Sequence, residues 1–156
     1  MQGLSPIDKI LSAGMVVIHR DDNRYRLLVL RAYSEWDFPK ALVAEGEDAL
    51  AVALRETREA TGLEDLDLEW GDEHRETLAA EDGSVTRYYI AQSKTMDVDL
   101  RLPAGAGSDE DYEYRWVTAD EAEDVLPPRL GLVLDWTVRM LVGRPLARPQ
   151  PCRSKS

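Results

Sequence analysis

Glu56 and Glu59 stand three residues apart in the run Asp48-Ala49-Leu50-Ala51-Val52-Ala53-Leu54-Arg55-Glu56-Thr57-Arg58-Glu59-Ala60-Thr61-Gly62. On a helix, residues at that spacing are neighbours on one face. Two carboxylates so close repel each other, and a divalent cation relieves the repulsion. Magnesium suits such a pair, because it takes oxygen ligands, keeps several waters and needs only one or two carboxylates from the protein. Arg55 is placed to pair with Glu47 across the junction between loop and helix, pinning the one over the other. Lys40, on the loop side, is a mobile point charge of the kind that reaches an anion. These residues therefore point to an acidic helix face that holds a cation, with a basic side chain nearby.

The segment that must position them runs from Trp36 to Leu63. Pro39 and Gly46 interrupt its first half, which reads as a loop. The second half reads as a helix of about a dozen residues, with Asp48 as N-cap and Gly62 as the left-handed stop. Leu50, Ala53, Leu54 and Thr57 are the side that can face a core.

This stretch resembles the Nudix box: Gly, five residues, Glu, seven residues, Arg-Glu, an aliphatic residue, any residue, Glu-Glu, any residue, Gly, aliphatic. Glu47, Arg55, Glu56, Glu59, Gly62 and Leu63 occupy matching positions at the motif's spacing, and Trp36-Asp37-Phe38-Pro39-Lys40 resembles the entry to the box. Two signature positions differ: Ala41 replaces the opening Gly, and Ala60 the second member of the Glu-Glu pair. The alanine at 41 is a mild change where φ is negative and a strained one where φ is positive. The alanine at 60 removes one carboxylate from the acidic cluster and should weaken metal binding.

The resemblance implies an α/β protein, a Nudix-type α/β/α sandwich with a mixed sheet. It also implies a Mg2+-dependent (or Mn2+-dependent) pyrophosphohydrolase acting on a nucleoside diphosphate linked to another group. There Glu56 and Glu59 bind metal, Glu56 or a further carboxylate orients water, and Arg55 with Glu47 holds the scaffold. The metal's contribution is to neutralise phosphate charge, polarise phosphorus and acidify water. The acidic run from Ser108 to Glu113 precedes Tyr114-Arg115-Trp116. It is similar to a segment of diadenosine tetraphosphate hydrolases in which a glutamate lies four residues before a Tyr-Arg-Trp triplet. That residue is Glu110 here, and the resemblance assigns it to metal binding or catalysis. Tyr88-Tyr89-Ile90-Ala91 resembles the aromatic strand of the same hydrolases, where a tyrosine stacks on adenine. Adjacent strand residues point to opposite faces, so only one of Tyr88 and Tyr89 can face a pocket. Lys40 matches a lysine that reaches phosphate, and Arg87 is a second cation near the presumed cleft. The lysine usual before the aromatic pair is absent, with Ser84 near that register. The alternative reading is a chain that keeps the fold and binds a nucleotide without efficient turnover, for which Ala41 and Ala60 speak.

Composition sets the outer bounds. With 156 residues, 44% of them hydrophobic, one globular domain is expected. A net charge of -11 argues against a broad grip on a nucleic-acid polymer, but not against a small nucleotide met by a local basic pocket. Cys152 is the only cysteine, which leaves no intrachain disulfide. No apolar run is long enough to span a bilayer and no signal pattern is evident, so a cytoplasmic protein without membrane partners is expected.

The remaining elements follow in order. Residues 1–11 read as a lead-in, 12–142 as the domain and 143–156 as a tail. Ser12 to His19 is an apolar strand suited to burial on both faces. Asp21-Asp22-Asn23 turns the chain into a second strand, Tyr25 to Arg31. His19, a solitary histidine at a strand end, reads as structural or solvent-exposed rather than as a phosphate contact. Leu68 to Leu78 and Val85 to Ser93 are expected as paired strands around an Asp82-Gly83 turn, and Glu113 to Val117 as a short strand. Thr118 to Glu121 forms a capping-box pattern that starts a helix ended by Pro127-Pro128. Arg129 to Val142 is a last helix with Leu130, Val133, Leu134, Val138 and Leu141 on one stripe.

Overall fold

Ala13 to Ile18 form the spine of the molecule, and Ala13, Met15, Val16, Val17 and Ile18 expose no surface. The computed structural model of the chain describes residues 10–22, 24–32, 35–101 and 112–143. The spine lies within strand β1 (Leu11–Asp21), which is followed by β2 (Arg24–Ala32), β3 (Glu35–Asp37), β4 (Lys40–Leu42) and helix α1 (Ala49–Thr61). Next come β5 (Leu66–Asp67), β6 (Arg75–Glu76), β7 (Val85–Ser93) and β8 (Tyr112–Val117). Helix α2 (Ala119–Val125), a 3-10 turn (Pro128–Leu130) and helix α3 (Gly131–Gly143) complete the described chain.

β1 runs antiparallel to β2 and β4 and parallel to β7, so the sheet is mixed. β3 and β8 extend it from β2, while β5 and β6 extend it from β7. A strand covered on both faces needs no polar alternation, which explains the unbroken apolar run. Met15 and Val17 point to the α1 side, packing with Ala49, Val52 and Ala53. Val16 and Ile18 point the other way, towards Ala122, Leu126, Leu130, Val133 and Leu134 of the α2–α3 region. The result is the expected α/β/α sandwich.

Several boundaries differ from the sequence reading. The entry to the box is not simply a loop: Phe38-Pro39 separates two three-residue strands, β3 and β4. Leu68 to Leu78 is not a continuous strand. The chain turns at Trp70 to Glu73, with Gly71 at φ 61°; Arg75 and Glu76 pair with β7, and the Thr77 N–H adds one bond to the Thr86 carbonyl. Trp70 is buried in the core beside that turn. The segment Glu64-Asp65-Leu66-Asp67 after the box contributes the two-residue strand β5. In the last helix a 3-10 turn precedes α3, because Pro127-Pro128 sets the entry. Of the stripe, Leu130, Val133, Leu134 and Leu141 are buried and Val138 is partly so.

One close approach fixes how β1 meets its neighbours. A methyl group on Gly14 would stand 2.7 Å from Cε1 of Tyr88 and 2.9 Å from the carbonyl oxygen of Pro39. Both are closer than van der Waals contact allows, and the backbone oxygen cannot swing away. Gly14→Ala is therefore expected to cost about 1–3 kcal/mol. A urea titration of both forms checks this; an unchanged midpoint would show that the strands have room to part.

Candidate metal and phosphate site

Helix α1 is locally well specified. The Asp48 carboxylate accepts from the N–H of Ala51 at 3.0 Å, and Gly62, at φ 75°, donates its N–H to the Arg58 carbonyl. Asp99 and Arg101 donate backbone N–H groups to Thr61 and Ala60, each at 2.8 Å, satisfying carbonyls that a helix end leaves open. The buried arc is Ala49, Val52, Ala53, Thr57 and Thr61, with Leu50 and Leu54 flanking it only partly buried. Small side chains bring the helix close to the sheet. The two buried threonine hydroxyls donate to carbonyls one turn back, Thr57 to Ala53 and Thr61 to Thr57.

On this helix Arg55 lies 3.3 Å from Glu47, as expected from their positions. Glu47 also accepts from the N–H of Ala44 at 2.9 Å, which closes the loop onto the helix. That backbone bond and Arg55 together hold the Glu47 carboxyl below the usual glutamate range. Because Arg55 is committed to Glu47, Glu56 and Glu59 have no ion pair or hydrogen bond among the described residues. Glu56 is half-buried and Glu59 exposed. Burial, then the charge of Glu59, raises the Glu56 carboxyl above its ordinary value, with Arg55 opposing.

Two oxygen-donor side chains one turn apart, neither held in an ion pair among the described residues, fit one hard divalent cation that keeps most of its waters. No group of three or more metal-capable His, Cys, Asp or Glu side chains forms among the described residues. The third predicted carboxylate, Glu110, lies outside them. Ala60 is half-buried where a further carboxylate was expected from the motif. Ala41 sits in β4 opposite Ala13, and Asp22 is the one non-glycine with positive φ among the described residues. Alanine at 41 is thus unstrained.

The raised Glu56 carboxyl has a pH consequence. Without metal, the preference of the folded chain for protonated Glu56 stabilises it below the ordinary glutamate value of 4.5, and that contribution is lost as pH rises through the raised value. A cation needs the ionised form, so its stabilising effect should grow over the same rise. The melting-temperature gain from added MgCl2 is therefore expected to shrink on acidification, beginning above pH 4.5. Melts with and without MgCl2 across that range check this; a gain independent of pH would exclude Glu56 as a ligand.

The predicted phosphate and base contacts are placed less simply. Lys40 lies 2.9 Å from Asp37, whose other oxygen accepts the Tyr88 hydroxyl at 2.8 Å and the Phe38 N–H at 2.6 Å. Tyr88 is fully buried, and its ring meets that of Phe38 edge-on at 5.6 Å. Burial and the Asp37 charge push its hydroxyl well above the ordinary tyrosine range. Tyr88 is therefore a core residue here, not a stacking surface. Tyr89 does point to the opposite face, as strand alternation requires, but it too is only 3% exposed. Its ring lies 5.5 Å from that of His74. Helices cover both faces of the sheet, so neither tyrosine is open to solvent. Arg87 pairs with Glu76, Nη2 to Oε2 at 2.8 Å, and its Nε donates to the same oxygen at 2.9 Å. His19 is structural, its ring hydrogen-bonding the Ser93 carbonyl at 2.9 Å. In the Tyr-Arg-Trp triplet, Trp116 donates to the Met96 carbonyl and Arg115 lies over the Trp36 ring at 4.9 Å.

Two groups were missed in the sequence. Asp37 gathers Lys40, Tyr88, Phe38 and Arg129; its place in the Trp36–Lys40 flank was the available signal. The other is a cleft of about 380 Å³ beside α1, where Arg55, Arg58 and Arg101 line the wall with Glu59 and Glu64. Arg101 is far from α1 in sequence, so spacing alone carries no sign of it.

Comparison with known proteins agrees with this architecture. Residues 8–137 match the NUDIX domain family model. The chain is 33% identical over 123 residues to the asymmetrical bis(5'-nucleosyl)-tetraphosphatase of Rattus norvegicus, covering 71% of this chain and 80% of that one. The Mus musculus protein of the same name is 32% identical over the same length. The structure of a C. elegans Ap4A hydrolase binary complex superposes with a TM-score of 0.71 at 25% identity, over 86% of this chain and 98% of that one. No helix among the described residues is long and apolar enough to cross a membrane. With the loop–helix box, the mixed sheet and the match all in agreement, the chain belongs to the Nudix family and is a Nudix hydrolase.

Proposed function

We propose that the chain is a Mg2+-dependent pyrophosphohydrolase (Mn2+ substituting) acting on a nucleoside diphosphate linked to another group, with a dinucleoside polyphosphate as its first candidate. The observation that carries this reading is that Glu56 and Glu59 make no ion pair among the described residues, the Arg55 that precedes Glu56 being paired with Glu47. The similarity to the rat tetraphosphatase supports the substrate class.

Glu56 and Glu59 hold the cation, with Glu110 as the third carboxylate in the proposal. Bound there, a divalent ion would neutralise phosphate charge and acidify water. Glu56 or Glu110 accepts the proton of the attacking water. Arg55 and Glu47 keep the loop closed on the helix. Lys40 and Arg87 meet phosphate, and the arginines of the adjacent cleft oppose locally the global charge of -11. Tyr89, on the α1 side of the sheet, is the base contact of this proposal. The substrate is a small nucleotide, the protein acts in the cytoplasm, and neither a nucleic-acid polymer nor a membrane is a partner.

A panel of dinucleoside polyphosphates assayed with and without Mg2+ tests the proposal. Cation-dependent nucleotide release is expected, and Ala60→Glu should raise it at limiting Mg2+ by restoring a carboxylate beside Glu59. Tight nucleotide binding with no turnover in either form would favour a binding module instead.

A further inference from the structure

Asp37 is held by more partners than a structural carboxylate needs. Its side chain is 15% exposed, and its Oδ2 meets two cations, Lys40 Nζ at 2.9 Å and Arg129 Nη2 at 3.2 Å. Its Oδ1 accepts from the Tyr88 hydroxyl and the Phe38 N–H. Arg129 also pairs with Glu35 at 2.8 Å, so Asp37, Glu35, Lys40 and Arg129 form a charge-balanced group of four. Removing one partner from a buried carboxylate is costly when it leaves the charge alone. Here Lys40 can leave without that cost, since Arg129, Tyr88 and Phe38 remain. Arg129 cannot leave as freely, because two carboxylates hold it. Burial works against its charge, and Glu35 and Asp37 more than offset that, so it stays a cation.

We propose that Lys40 is a releasable cation: Asp37 parks it when no anion is present, and Arg129, a positioning residue, keeps Asp37 paired when Lys40 turns to the phosphate chain. The inference rests on the reading of Lys40 as a phosphate contact. It assigns Asp37 and Arg129 opposite effects on substrate affinity. Without Arg129, Asp37 grips Lys40 more tightly and phosphate competes less well. Without the Asp37 charge, Lys40 is free for phosphate.

Steady-state kinetics on diadenosine tetraphosphate, with calorimetric binding of inorganic tripolyphosphate as a readout without turnover, tests this. Arg129→Gln is expected to raise KM and the tripolyphosphate Kd by about two- to five-fold with kcat little changed, as for a partly exposed ion pair. Arg129→Lys should restore both, and Asp37→Asn should lower both. In a Lys40→Ala background the Arg129 and Asp37 effects on affinity should vanish. Thermal melts of each variant confirm folding; if Arg129→Gln does not fold, Asp37→Asn and the Lys40→Ala background carry the test. If Lys40→Ala leaves KM and Kd unchanged, the phosphate role of Lys40 fails and the inference with it. If Lys40→Ala weakens affinity but Asp37→Asn and Arg129→Gln shift it in the same direction, that role stands and the parking arrangement is overturned.

Discussion

Glu56→Gln is expected to lower turnover by about 10²–10⁴-fold while the fold stays intact. Glutamine matches glutamate in shape and nearly in helix propensity, so α1 should form as before. The half-buried carboxylate and its repulsion with Glu59 both disappear, which makes the variant at least as stable near neutral pH. What is lost is an anionic oxygen ligand and the candidate acceptor of the water proton. Initial rates on diadenosine tetraphosphate at saturating Mg2+, beside a thermal melt, separate chemistry from folding. Turnover kept within about ten-fold of the parent would place the essential carboxylate elsewhere and leave Glu56 outside the reaction.

Phe38→Ala is expected to destabilise the protein by about 3–5 kcal/mol. Phe38 is 2% exposed and lies in the core on the α3 side of the sheet. Its ring is the edge-on neighbour of Tyr88, and its N–H is one of the donors holding Asp37. Truncation leaves a cavity against Tyr88 exactly where β3 passes to β4, so Lys40 should lose its fixed approach as well. A urea titration gives the stability change, and KM measured well below the transition gives the effect on the site. A loss under about 1 kcal/mol would mean that the neighbouring core collapses into the space.

The parts of this molecule that were legible in the sequence are those set by local rules. Asp48 and Gly62 bound α1 because capping is decided within a few residues. Thr118 and Glu121 form the capping box that starts α2 for the same reason. Arg55 and Glu47 were pairable because a helix turn and a short loop fix their separation. What was not legible depends on distant segments. Leu68 to Leu78 reads as one strand, yet a turn with Gly71 at φ 61° interrupts it and leaves only Arg75–Glu76 in the sheet. Tyr88 and Tyr89 alternate as a strand demands, but whether a face is open depends on helices elsewhere in the chain. The role of Asp37 needs Arg129, 92 residues away. No local pattern marks such a pair. Glu110, assigned from the likeness of its segment to that of diadenosine tetraphosphate hydrolases, falls outside the described residues.

Whether Glu56 and Glu59 capture a divalent cation with an alanine beside them decides the proposed chemistry. Crystals soaked in Mn2+ and measured at the manganese absorption edge test that directly. The prediction is an anomalous peak within coordinating distance of both carboxylates, absent from crystals of Glu56→Gln. A wild-type map with no peak on α1 would contradict it, as would one with the metal bound at another site and both glutamates turned towards arginines.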